Sequence, residues 1–293
     1  MYTSCAAGGS RGIAFVGDST VRHVMHGLLQ NEWQLPNRTA LASIAEQLGH
    51  RTFVVELQHT ARFAFTYVPM PHFLRSMRDI ETLPPPGCKV IAPDSASRAA
   101  LAAVEYGLRQ IGAVARRTVV YGGLISTLPS ATLASDIIRW IRACAPDVTL
   151  VLKSNGPSMH ASRAETERVN HEIGEMVELV NSRDGAAHGW RPVLFWDVWS
   201  VVGNASVFVK TWKADICKCH FAHVFSVERG LEGLENERIV HDLITHVPCM
   251  LPPANGAGRA LPQWCLRANA SDEPEWCGAA AGQANVGRAF GGS

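Results

Sequence analysis

The sequence predicts an α/β protein: a three-layer α/β/α sandwich around a five-stranded, mostly parallel sheet. Three observations carry this expectation. Apolar runs of five or six residues recur along the chain at 13–17, 52–57, 118–122, 148–153 and 193–197, short enough to be strands rather than helices. Between them stand longer segments with apolar residues at three-and-four spacing, the pattern of crossover helices. The runs are apolar on both alternating faces, as in a parallel sheet covered on both sides. With 293 residues, 47% of them hydrophobic and 18% charged, the chain has enough apolar material for a sizeable core and is not disordered.

The elements follow in order. Ile13-Ala-Phe-Val-Gly17 is strand one, and Val21, Val24, Met25, Leu28 and Leu29 mark the buried face of a helix over about 20–31. A second helical run spans 38–48 and stops at Gly49; Thr52-Phe-Val-Val-Glu-Leu57 is strand two. Residues 58–94 hold Pro69, Pro71, Pro84, Pro85, Pro86 and Pro93 and read as an irregular region, a lid or substrate-binding wall. A helix follows from Ser95 to Gly112, with Ala99, Leu101, Ala102, Leu108 and Ile111 inward; Thr118-Val-Val-Tyr-Gly122 is strand three. Arg116-Arg117 reads as a solvated helix end. Residues 131–144 form a helix, Val148–Lys153 strand four, 162–182 an amphipathic helix and Val193–Asp197 strand five. A short helix is expected near 207–217 and a last one over 239–250. Beyond residue 251 the proline- and glycine-rich composition reads as a tail, weakly ordered or stapled by disulfides through Trp264-Cys265 and Trp276-Cys277.

Right-handed crossovers bring the carboxyl ends of parallel strands to one edge of the sheet, where open α/β sheets bind ligands. Ser19, the Gly122-Gly123 loop and Ser154-Asn155-Gly156 are expected to meet there. Gly17-Asp18-Ser19 joins the first strand to its helix. A serine at that joint projects its hydroxyl from the edge, beside helix-terminal N–H groups suited to a developing oxyanion; alternatively, Asp18 or Ser19 is an ordinary helix cap. A serine nucleophile needs a base. Lys213-Ala-Asp-Ile-Cys-Lys-Cys-His-Phe221 supplies His220 as proton acceptor and Asp215 as the group that orients it, with His223 and His241 as rivals.

Phe15-Val-Gly-Asp-Ser-Thr-Val-Arg22 resembles the opening block of the SGNH/GDSL hydrolase superfamily, and within it the PC-esterase branch of trichome-birefringence-like glycan O-acetyltransferases and esterases. That branch reads G-D-S-x-x-R, matched by Gly17, Asp18, Ser19 and Arg22. Val120-Tyr-Gly-Gly-Leu124, Trp196-Asp-Val-Trp199 and His220-Phe221 resemble its later strand ends and its closing histidine block, over residues 11–250. The resemblance implies a flavodoxin-like SGNH fold over 11–251, between an extension at 1–10 and the tail at 252–293. It also implies acetyl transfer or hydrolysis on a carbohydrate, with an acetyl donor as a further partner and a Golgi or other secretory setting. Three residues before His220 stands Cys217, where the block has aspartate, so the triad acid is Asp215, another residue, or absent. The family's oxyanion asparagine is missing after strand three; Asn155 is a candidate substitute, beside the backbone N–H groups of Ser19 and of Gly122 or Gly123. An inactive glycan-binding domain is the alternative reading.

A net charge of +1 gives no argument for nucleic acid or an anionic membrane surface. No apolar run approaches the roughly 20 residues of a membrane span, and the first ten residues lack the pattern of a signal peptide. Eight cysteines and the sequons at Asn37, Asn204 and Asn269 lean toward a secretory lumen, with the cytosol left open. Cys217, Cys219, His220 and His223 could ligate a metal, but the Cys-x-Cys spacing is tighter than that of structural zinc pairs; no metal and no other cofactor is expected. Trp196, Trp199 and Trp212 are candidates for stacking on a sugar ring, with core packing the commoner use.

Overall fold

The computed structural model describes residues 9–29, 52–58, 62–69, 88, 95–123, 131–156, 162–182, 191–202, 241–245, 247, 263–267 and 276–279. Among the described residues, eight strands form one mixed sheet: β1 (Arg11–Gly17), β2 (Phe53–Gln58), β3 (Arg62–Pro69), β4 (Arg116–Gly122), β5 (Thr149–Lys153), β6 (Leu194–Trp196), β7 (Gln263–Arg267) and β8 (Trp276–Ala279). Their order is β6-β5-β4-β1-β3-β2-β7-β8. The five strands β6, β5, β4, β1 and β3 run parallel, whereas β2, β7 and β8 continue the sheet antiparallel.

Helices cover both faces. On one side α1 (Ser19–Gly27) places Val21, Val24 and Met25 against Phe15, Phe65 and Val120; Leu243, Ile244 and Val247 from a helical segment at 241–245 and just after it join this core. On the other side α2 (Ser95–Ile111), α3 (Ala131–Cys144) and α4 (Arg163–Val180) pack on Ala14, Val16, Val119, Leu150 and Leu152. The short helix α5 (Val198–Val202) follows β6 directly. All seven residues of β1 are buried, as expected for a central strand with both faces covered. A disulfide ties Cys88 to Cys144 at the end of α3, with 5.8 Å between their Cα atoms.

The sequence expectation needs several corrections. The stretch at 52–57 is a strand, but an antiparallel one, because only residues 59–61 separate it from β3. A parallel connection needs a dozen residues or more; a hairpin does not. The strand that does lie parallel beside β1 is β3, inside the region read as irregular. Its aromatic and β-branched run, Arg62-Phe-Ala-Phe-Thr-Tyr-Val-Pro69, ends on the proline, a position where a strand tolerates one. Arg116 and Arg117 open β4, and Arg117 makes two bonds to Asp147 across the surface. The residues of α2 that face the core are Ala100, Leu101, Ala103, Val104, Leu108 and Ile111, with Ala99 and Ala102 half-buried. The expected helices at 38–48 and 207–217 lie outside the described residues. The stretch after residue 252 supplies β7 and β8, and Cys265 stands opposite Cys277 in their register.

Candidate active site at the carboxyl edge of the sheet

The parallel strands end in one transverse row. Gly17 is opposite both Pro69 and Gly122; Tyr121 is opposite Leu152, which puts Lys153 beside Gly122; and Lys153 is opposite Trp196. Phe15, Val120 and Val151 face α1, so by the two-residue period of a strand the row Gly17, Gly122 and Lys153 faces α1 as well. The glycines are there for close approach. A Cβ on Gly17 would stand 2.0 Å from the Gly122 carbonyl oxygen, and one on Gly122 would stand 2.7 Å from Lys153 Cβ. Gly17 has no left-handed φ, so its use is room rather than turn conformation.

The chain leaves β1 through Asp18, which is fully buried and caps α1: its Oδ1 accepts from Thr20 N at 2.9 Å and from Thr20 Oγ1 at 2.6 Å. Ser19 is therefore the first helical residue, and the cap is Asp18. The Tyr67 hydroxyl donates to the Gly17 carbonyl at 3.2 Å and so steadies the same turn. Arg22, one turn into α1, is half-buried, with its guanidinium 6.0 Å from the centre of the Tyr67 ring.

On the far side of the row, Ser154 and Asn155 leave β5 fully buried. The Trp196 carbonyl accepts from Ser154 N, and Ser154 Oγ accepts from Trp199 N. The Asn170 side chain of α4 grips the Asn155 peptide twice: Asn155 N donates to Asn170 Oδ1 at 2.7 Å, and Asn170 Nδ2 donates to Asn155 O at 3.0 Å. The Asn155 side-chain amide makes no hydrogen bond, although both its polar atoms are buried; the same holds for Asp18 Oδ2 and Tyr121 Oη.

Burial shapes the titration of this edge. It pulls the Lys153 ammonium down to about 8, with the Asp18 carboxylate opposing the shift. Burial, reinforced by Asp18, raises the Tyr121 phenol; burial also raises Tyr67, with the Arg22 charge opposing. His26, buried against Phe53 with ring centroids 5.8 Å apart, is pushed down to about 3 by burial and by Arg22. That value is far from the near-neutral pKa of an effective general base.

The structure thus gathers Ser19, Arg22, Gly122, Gly123 and Asn155 at or next to one edge. Asp215, His220 and His223 lie outside the described residues, as do Cys217, Cys219 and Trp212. His241 is exposed on the helical segment at 241–245. Trp196 is 1% exposed and donates from its indole N–H to Asp242 Oδ2 at 2.7 Å, so it is a core residue and has no face for a sugar. No cluster of three or more potential metal ligands occurs among the described residues.

Lys153 and Asn170 were not singled out from the sequence. A lysine closing an apolar strand reads as an exposed end, and only the glycine beside it in the sheet makes room to bury it. Asn170 had a legible signal: it shares the 166, 170, 173, 177 spacing of the buried face of α4. No protein-family model matches this chain, and no curated protein sequence does either.

Proposed function

We propose that this protein is a serine-dependent acyl esterase or O-acyltransferase of the SGNH type, acting on an acetylated carbohydrate. The observation that carries the reading is the position of Gly17-Asp18-Ser19. β1 lies between parallel neighbours β3 and β4, and the chain crosses to one side of β1 and then to the other. That reversal is the switch point where doubly wound sheets bind ligands, and the parallel order β3-β1-β4-β5-β6 is the flavodoxin-like one. It supports a three-layer α/β/α sandwich with antiparallel strands added at the β3 edge.

In this mechanism Ser19 Oγ attacks the acyl carbonyl as its proton passes to His220, held by Asp215. Backbone N–H groups of Ser19 and of Gly122 or Gly123, with Asn155, bind the oxyanion. Collapse breaks the bond to the sugar oxygen, which takes the proton from His220 and departs as a hydroxyl, leaving an acyl-enzyme. Water then completes hydrolysis; a second sugar hydroxyl completes transfer. Asp18 fixes the turn by capping α1, and Arg22 supplies positive charge one turn away. The Cys88–Cys144 disulfide supports a secretory-pathway lumen, where such bonds persist. The alternative, a glycan-binding domain without activity, draws on Cys217 standing where the histidine block carries an acid.

The test is covalent labelling of the full chain with a fluorophosphonate. Labelling is expected in the wild type and is expected to be lost in Ser19→Ala and in His220→Ala. Loss in Ser19→Ala alone identifies the nucleophile and removes His220 as base. Folded wild-type protein that does not label overturns the enzyme reading in favour of the binding domain.

A further inference from the structure

Two polar groups at the end of β5 have bonding capacity that the fold leaves unused. Lys153 is 2% exposed, and its Nζ makes one hydrogen bond, to the Ser154 carbonyl at 3.1 Å. An ammonium has three donors, so two remain. Its aliphatic stem lies on Gly122, with Cγ and Cδ 3.3 Å from the place of a Cβ there. Gly17 is next in the row, so no side chain of the row stands between Lys153 and the Asp18–Ser19 turn. Asn155 is 0% exposed, and Asn170 occupies both its backbone groups, leaving the side-chain amide without a hydrogen bond.

Packing alone does not account for this pair. A methionine and a leucine would fill the same space without desolvating an ammonium and an amide. Among the described residues, the Asp18 carboxylate favours the charged ammonium of Lys153. Its Oδ1 is taken by Thr20 and its Oδ2 makes no hydrogen bond, so Asp18 does not fill the remaining Lys153 donors. What the ammonium and the amide share is unused donors, two residues apart at one strand end, and such donors bind anionic oxygens.

We propose that Lys153 and Asn155 together form an anion subsite at the carboxyl end of β5, which takes one negatively charged ligand oxygen. The identity of that oxygen rests on the acyl-transfer reading: it is the oxyanion of the tetrahedral intermediate, or a carboxylate of the bound ligand or released acid. In either case Lys153 is a binding residue that the serine, histidine and backbone groups do not replace.

The experiment uses the full chain as wild type, Ser19→Ala, Lys153→Met, Lys153→Gln and Asn155→Leu, each checked for a cooperative thermal transition. Two readouts are taken: acetate binding, followed by tryptophan fluorescence because Trp196 neighbours Lys153, and the rate of fluorophosphonate labelling. Lys153→Met and Asn155→Leu are expected to slow labelling by about a hundredfold, the scale of a lost oxyanion donor, and Ser19→Ala is expected to keep acetate binding. Slower labelling with unchanged acetate binding supports the subsite and assigns it to the intermediate. Weaker acetate binding with unchanged labelling supports it and assigns it to a ligand carboxylate. Folded Lys153 and Asn155 variants that match wild type in both readouts overturn it, as does wild type that neither labels nor binds acetate. If wild type fails to label but binds acetate through Lys153, the acyl-transfer reading falls and the subsite stands. Lys153→Gln takes the place of Lys153→Met should the latter not fold.

Discussion

Gly17 and Gly122 show how little room the carboxyl edge allows. A methyl group at Gly17 would sit 2.0 Å from a neighbouring strand's carbonyl oxygen, and backbone does not yield as a flexible side chain would. Gly17→Ala is expected to destabilise by about 3 kcal/mol or more, read as a lower urea midpoint. Lys153 next to them works against stability at neutral pH. Its folded pKa of about 8 is below the ordinary lysine value of 10.5, so the unfolded chain binds more protons between those values. Stability is then fully present above 10.5 and is lost as pH falls through about 8, by about 3 kcal/mol for this one buried group. Lys153→Met is expected to be at least as stable as wild type at pH 7, with the difference shrinking toward pH 10.5 in urea titrations. Asn170 is the opposite case. Replacing it with leucine strips two hydrogen bonds from the buried Asn155 peptide, an expected loss of about 2 to 3 kcal/mol by chemical denaturation.

At the scale of elements, α1 depends on its cap. Asp18→Ala removes the acceptor for Thr20 N and Thr20 Oγ1, and a lost cap costs about 1 to 2 kcal/mol, measurable as a lower thermal midpoint. α1 was legible because its core residues repeat at helical spacing, and the same holds for α3 and α4. β3 was not. Pro69, together with the prolines that follow, marked the stretch as broken, although Pro69 occupies the strand's last position, where it does no harm. The direction of β2 depended on that missing strand: without β3, nothing in Thr52–Leu57 distinguishes a parallel member from the second arm of a hairpin.

Across the whole molecule, two sets of conditions should move stability. His26 has a folded value of about 3 against the ordinary histidine value of 6.5, so its contribution is present above 6.5 and is lost as pH falls toward 3. Between pH 7 and pH 5 the loss is about 2 kcal/mol from this group; urea midpoints should fall over that range, and less steeply in His26→Leu. The Cys88–Cys144 bond spans 56 residues of sequence, for which loop-closure entropy predicts about 4 kcal/mol. Reduction should therefore lower the urea midpoint markedly. Among the described residues no helix is long and apolar enough to cross a membrane.

The α/β class, the β1–α1 joint and the convergence of Ser19, Gly122 and Asn155 on one edge were readable in the chain, because strand and helix periodicity are local and right-handed crossovers leave few arrangements. The strand order, the antiparallel extension and the environment of Lys153 were not. They depend on which strands become neighbours, and that is settled by packing between residues far apart in sequence. A lysine is exposed or buried according to whether the next strand offers a glycine, and only the folded sheet brings Gly122 beside Lys153.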